Sequence, residues 1–120
     1  MVLREARTVS EKYDRCVGPR NIYGEIVLTA TPSQVFQFES IVTWPERSNY
    51  DAYVLDGILD ILLSNNLNYI LGVSFVLGQI KYHEVNSCAM GYYQAARLAT
   101  EKIISKAERT QNSVIPSWQN

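Results

Sequence analysis

One histidine, two cysteines and a formal charge of −1 over 120 residues leave little room for most site chemistries. A nitrogen- and sulfur-liganded metal centre needs several donors within reach of one another. His83, Cys16 and Cys88 are too few and follow no ligand spacing, so no metal and no cofactor is expected. The cysteines do not form the framework of a small secreted domain either, and read as reduced thiols in a cytoplasmic protein. The balance of 11 Lys plus Arg against 12 Asp plus Glu argues against a domain that grips nucleic acid through a broad electrostatic field. No run approaches the ~20 apolar residues that span a bilayer. Arg4 and Glu5 put charge where a signal peptide would need an apolar core, so a membrane is not an expected partner. The glycine-rich Walker loop is also missing. Gly18-Pro19-Arg20 is not followed by Gly-Lys-Ser/Thr, and the chain alone is not expected to bind a nucleotide.

What remains is a globular composition, 47% hydrophobic and 19% charged, of a length that suits one domain. Residues 3–9 and 10–17 read as two strands, the first an edge kept soluble by its charges, and Gly18-Pro19 as a turn. Residues 24–31 alternate, with Ile26, Leu28 and Ala30 on one face. Residues 35–44 alternate again, with Phe36, Phe38, Val42 and Trp44 on one face, and the short link predicts an antiparallel hairpin with the preceding strand. Ser48 with Asp51 is a helix start. Tyr50, Tyr53, Val54, Gly57, Ile58, Ile61 and Leu62 then make one apolar stripe of a helix over 48–65. Residues 70–77 are apolar enough for a central strand; Gly78-Gln79 bends it, and 80–83 continue it outward. A second helix over 87–108 buries Ala95, Leu98, Ala99 and Ile103, with Met90 or Gly91 at its start. Residues 110–120 read as a polar tail. Strands first and helices after predict an α+β domain, a three- or four-stranded, mostly antiparallel sheet with both helices on one face.

No catalytic constellation is present, and the chain is not expected to be an enzyme. His83 and Glu84 are adjacent at a strand end and point to opposite sides, which does not suit an acid–base pair. His83 with Cys88 lacks an orienting third group and an oxyanion donor. The eight tyrosines invite an RNA-stacking reading. Tyr50 and Tyr53 lie on the first helix's core stripe, and of the neighbours Tyr92 and Tyr93 at most one is buried. Tyr23 and Tyr82, beside the two turns, are better placed to meet a partner.

Three motifs in order carry a family resemblance. Arg20-Asn21-Ile22-Tyr23-Gly24 is similar to the Arg-Gly-Gln-Tyr-Gly turn in the fourth domain of bacterial elongation factor G. Asn49-Tyr50 with Val54, Gly57 and Ile58 resembles the opening of that domain's first helix. Tyr82-His83-Glu84-Val85-Asn86-Ser87 matches its Tyr-His-Glu-Val-Asp-Ser run almost letter for letter, and Leu3-Arg4-Glu5 resembles its opening Tyr-Arg-Glu. The resemblance covers residues 3–109 and implies a fold like domain 2 of ribosomal protein S5. It also implies a translation-elongation-factor-like role, in which two turns form a tip that contacts the ribosome or structured RNA. On matched positions that tip is Arg20, Tyr23, Gly24, His83 and Glu84, with Tyr82 beside it. The chain departs from the family at Pro19, Asn21, Ile22, Glu25 and Asn86, and it lacks the GTPase domain. A more acidic and more apolar tip raises a rival expectation: a module that keeps the fold, has lost RNA, and pairs with a protein partner or with itself.

Overall fold

A computed structural model, describing residues 5–45, 49–65, 72–83 and 86–114, has the order β1 (Arg7–Val17), β2 (Arg20–Pro32), β3 (Gln37–Ser40), α1 (Asp51–Asn65), β4 (Val73–Lys81) and α2 (Ala89–Val114). The sheet runs β1-β2-β4-β3. β2 is antiparallel to both neighbours, and β3 is parallel to β4. The inward faces of the strands and both helices share one core, so the class is the expected α+β with a mostly antiparallel sheet. Ile26, Leu28 and Ala30 of β2, Val73, Phe75 and Leu77 of β4, Val54, Ile58 and Leu62 of α1, and Ala95, Ala99 and Ile103 of α2 are all buried there. Burying each large aliphatic or aromatic side chain contributes about 1.5–3 kcal/mol, so this shared surface is what holds the layers together.

Several boundaries differ from the sequence expectation. β1 is one strand: nothing between Val9 and Ser10 breaks the chain, and its register with β2 is continuous from Arg7↔Ala30 to Val17↔Arg20. The expected hairpin of β2 with residues 35–44 does not form. β4 takes the place beside β2, and β3 lies at the far edge, reached by a crossing at which Ser33 N donates to Gly72 O (3.1 Å). The apolar β4 strand is covered on both flanks, a preference set by long-range pairing that local alternation does not encode. Ile41 N makes a last bond to Leu77 O of β4 (3.1 Å); residues 42–44 then leave the ladder, and Trp44 turns into the core, where its Nε1 donates to Asp51 Oδ1 at 2.8 Å.

α1 begins at Asp51, whose N–H is capped by Asn49 Oδ1 at 3.0 Å; Ser48 lies outside the described residues. Tyr53, placed on the stripe by its spacing, is 47% exposed at the margin of the stripe, whereas its neighbour Val54 is buried. Gly57 lets the two helices meet: a Cβ there would lie 2.5 Å from Tyr93 O. On α2 the inward residues include Tyr92 and Ala96, whereas Leu98 is half-buried and Met90 is exposed. The helix continues to Val114, into the stretch read as tail, since no breaker precedes Pro116; residues 115–120 lie outside the described residues.

Candidate functional site at the two-turn tip

The first turn closes the β1–β2 hairpin. Val17 and Arg20 are partners across the two-residue loop Gly18-Pro19, and Gly18 takes φ 63°. A left-handed first position followed by proline suits the tight turn that matches strand twist. Arg20 and Asn21 are exposed just beyond it.

The second turn is aimed by a bulge. Leu28 faces Leu77 but Val27 faces Gln79, so Gly78 is an extra residue in β4. Side-chain parity inverts there. Val73, Phe75 and Leu77 point inward before the bulge, and Ile80 and Tyr82 pack against the core after it. Lys81 and His83 thereby reach the open face of the sheet, and both are exposed.

Short polar contacts then fold the chain from His83 to Ser87. His83 N donates to Ser87 Oγ (2.7 Å), Ser87 N to His83 O (2.8 Å) and Asn86 N to His83 Nδ1 (3.3 Å). With Nδ1 accepting, a neutral imidazole carries its proton on Nε2, the nitrogen left for a ligand. Tyr92 supports this turn from below. It is fully buried against Trp44 and Tyr50, with ring centroids at 4.9 and 5.3 Å. Its hydroxyl donates to Lys81 O at 2.6 Å, so Ser87 Oγ, 3.0 Å away, donates to Tyr92 Oη while accepting from His83 N.

The two turns are joined along a seam. Tyr23 N donates to Asn86 O (3.1 Å), Cys88 N donates to Tyr23 O (3.3 Å), and Tyr23 and Ser87 form a parallel bridge. This close approach of the α2 N-terminus to β2 is possible because Gly24 and Gly91 face each other; a Cβ on either would overlap backbone of the other segment. The Tyr23 and His83 rings come together on the open face, centroids 5.9 Å apart and tilted by 59°. A polar cleft of about 390 Å³ lies between the turns, lined by Pro19, Arg20, Asn21, Asn86, Ser87 and Cys88.

Of the residues assigned to the tip, Arg20, Tyr23 and His83 lie at one end of the domain around this seam. Tyr82 is half-buried against the core, and Glu84 lies outside the described residues. Gly24 is corrected: it is buried beneath α2 and offers no contact surface, its role being the close approach. Sequence reasoning did not assign Ser87, Gly91 or Tyr92 a part. Tyr92 had a signal, since it lies three and four residues before the core alanines Ala95 and Ala96.

Tyr23 donates to Glu25 Oε1 at 2.6 Å. Burial first, and then this carboxylate, hold its phenol well above the usual tyrosine range. Burial pushes Tyr92 from 10.0 up to about 12, and the hydrogen bond to Asp60 raises Tyr93. All three shifts favour the neutral phenol in the folded state. Their stabilisation is whole below the unfolded value of 10.0 and is lost as pH climbs through the raised folded values. Urea midpoints are therefore expected to fall steadily above about pH 10, and less steeply in Tyr92→Phe. An equal slope in wild type and variant would contradict the assignment to Tyr92.

No family model matches the chain. A solved structure of a Thermus thermophilus protein matches 88% of this chain with a TM-score of 0.78 and 25% sequence identity. The match spans 16% of that longer chain, the size of one domain within it. Among the described residues no group of His, Cys, Asp and Glu is arranged to hold a metal ion, and no helix is long and apolar enough to cross a membrane. With the motifs in order and the expected sheet and helices in place, the chain is similar in fold to one domain of that Thermus thermophilus protein, a match consistent with a domain-sized piece of an elongation factor.

Proposed function

We propose that this domain is a non-catalytic, translation-elongation-factor-like module that contacts the ribosome or structured RNA through the two-turn tip. The observation that carries the reading is the pairing of the Tyr23 and His83 rings on the open face, locked by the backbone seam between the turns. Aromatic and imidazole faces accept unstacked bases, each stack contributing about 1–3 kcal/mol. Arg20, exposed beside them, supplies a cation for phosphate, and Asn21 and Asn86 line the cleft with groups able to read base or ribose edges. A cytoplasmic location goes with this role. A protein-interaction module on the same fold is the second reading, favoured by Glu25, whose carboxylate is held against Tyr23 where RNA phosphates would have to approach.

Co-sedimentation with ribosomes separates the two. Wild type is expected to pellet with ribosomes at low salt, and His83→Ala and Arg20→Ala to pellet several-fold less. His83→Ala removes the Nδ1 bond to Asn86 N and the exposed ring contact with Tyr23, while the other hydrogen bonds of this turn are backbone or Ser87 contacts and remain. It should therefore lower stability by no more than about 1 kcal/mol in a urea melt. Equal pelleting of wild type and both variants, or no pelleting of any, would sink the ribosome reading.

A further inference from the structure

The outer edge of β1 is unpaired among the described residues, eleven residues long, and without proline or bulge. Such an edge is a template for another strand. Its outward groups follow from the pairing on the other side. Tyr23 spends its N–H and C=O on Asn86 and Cys88, away from β1, so Asp14, its partner in register, turns its own N–H and C=O to the free edge. The same parity holds at Ser10, Lys12 and Cys16. Lys12 N accordingly finds only the carboxylate of its neighbour Glu11, at 3.4 Å.

We infer that this edge is a self-pairing surface, and that its occupant is the antiparallel β1 of a second copy of the chain, with Tyr13 on the two-fold axis. The charges select that partner and that register. Antiparallel pairing about Tyr13 places Lys12 opposite Asp14 on the open face, and Glu11 opposite Arg15 on the helix face, each twice by symmetry. Moving the axis to Lys12, Asp14 or Glu11 sets like charges against each other at the centre. The Tyr13 register thus joins every charge from Glu11 to Arg15 to its opposite and lets Ser10, Lys12, Asp14 and Cys16 exchange backbone hydrogen bonds. The product is one continuous sheet, β3-β4-β2-β1-β1-β2-β4-β3, whose two tips project from opposite ends.

The test is sedimentation equilibrium of the 120-residue chain, alone and as charge variants. Lys12 and Asp14 are both exposed but lie opposite Glu25 and Tyr23 across the β1–β2 ladder, so ribosome pelleting is measured on the same variants: a change in pelleting with dimerisation unchanged bears on the tip alone. Wild type should dimerise with a dissociation constant of about 10–100 µM, suited to a small interface. Lys12→Asp alone and Asp14→Lys alone should each weaken dimerisation about tenfold or more. The double variant Lys12→Asp/Asp14→Lys should regain it, which a fold defect would not allow. Amide exchange at Lys12 and Asp14 should slow as concentration rises. A chain that stays monomeric at about 1 mM, or a dimer indifferent to both single reversals, would overturn the inference.

Discussion

Gly91→Ala is expected to destabilise the domain by about 2–4 kcal/mol, although alanine is the better helix former. Gly91 lies in the first turn of α2, where an ordinary exposed site would gain about 1 kcal/mol from the exchange. Here the added methyl overlaps the Tyr23 carbonyl and the Gly24 amide, which are strand backbone and cannot rotate aside as a side chain would. Relief requires α2 to lift from β2. That motion breaks the Tyr23 N to Asn86 O and Cys88 N to Tyr23 O bonds, each contributing about 1 kcal/mol. Urea denaturation measures the loss, and faster amide exchange at Tyr23 would locate it at the seam. A variant more stable than wild type would show that the helix and strand are not in contact there.

The second large effect belongs to Tyr92. Tyr92→Phe keeps the ring between Trp44 and Tyr50 but removes the hydroxyl that satisfies Lys81 O and orders Ser87. Lys81 O and Ser87 Oγ, both in part-buried bonds, each lose a partner, and the expected cost is about 1–2 kcal/mol. Tyr92→Ala empties the centre of the aromatic cluster as well and should cost about 3–5 kcal/mol. The distinguishing readout is the His83 imidazole resonance in NMR. It should shift or broaden in Tyr92→Phe, because Ser87 Oγ links Tyr92 to the His83 N–H. A Phe variant as stable as wild type, with an unmoved His83 signal, would mean that the second turn holds itself.

The helices and the inward faces of β2 and the first half of β4 were legible in the sequence because their signals are local. Ile26, Leu28 and Ala30 alternate, and Val54, Ile58 and Leu62 recur at helical spacing. The partner of β3 was not legible. Phe38 alternates equally well whether its neighbour is β2 or β4, and the choice was made by Phe75 and Val76, far along the chain. The tip was visible as a motif, but its construction was not. Gly24 looked like a turn glycine and proved to be half of a helix–strand contact, whose other half, Gly91, lies 67 residues away (91 − 24). A close approach of two backbones leaves a trace in sequence only as two small residues, and nothing local says that they meet.

The extra residue at Gly78 divides β4 into two stretches with opposite rules of mutational tolerance. Up to Leu77 the odd positions belong to the core and should reject polar substitution; from Ile80 the even ones should. Drift at Gln79, Lys81 and His83 is therefore nearly free of the constraint that holds Phe75 and Leu77. The end of the strand at the tip can change its chemistry without renegotiating the core that carries it.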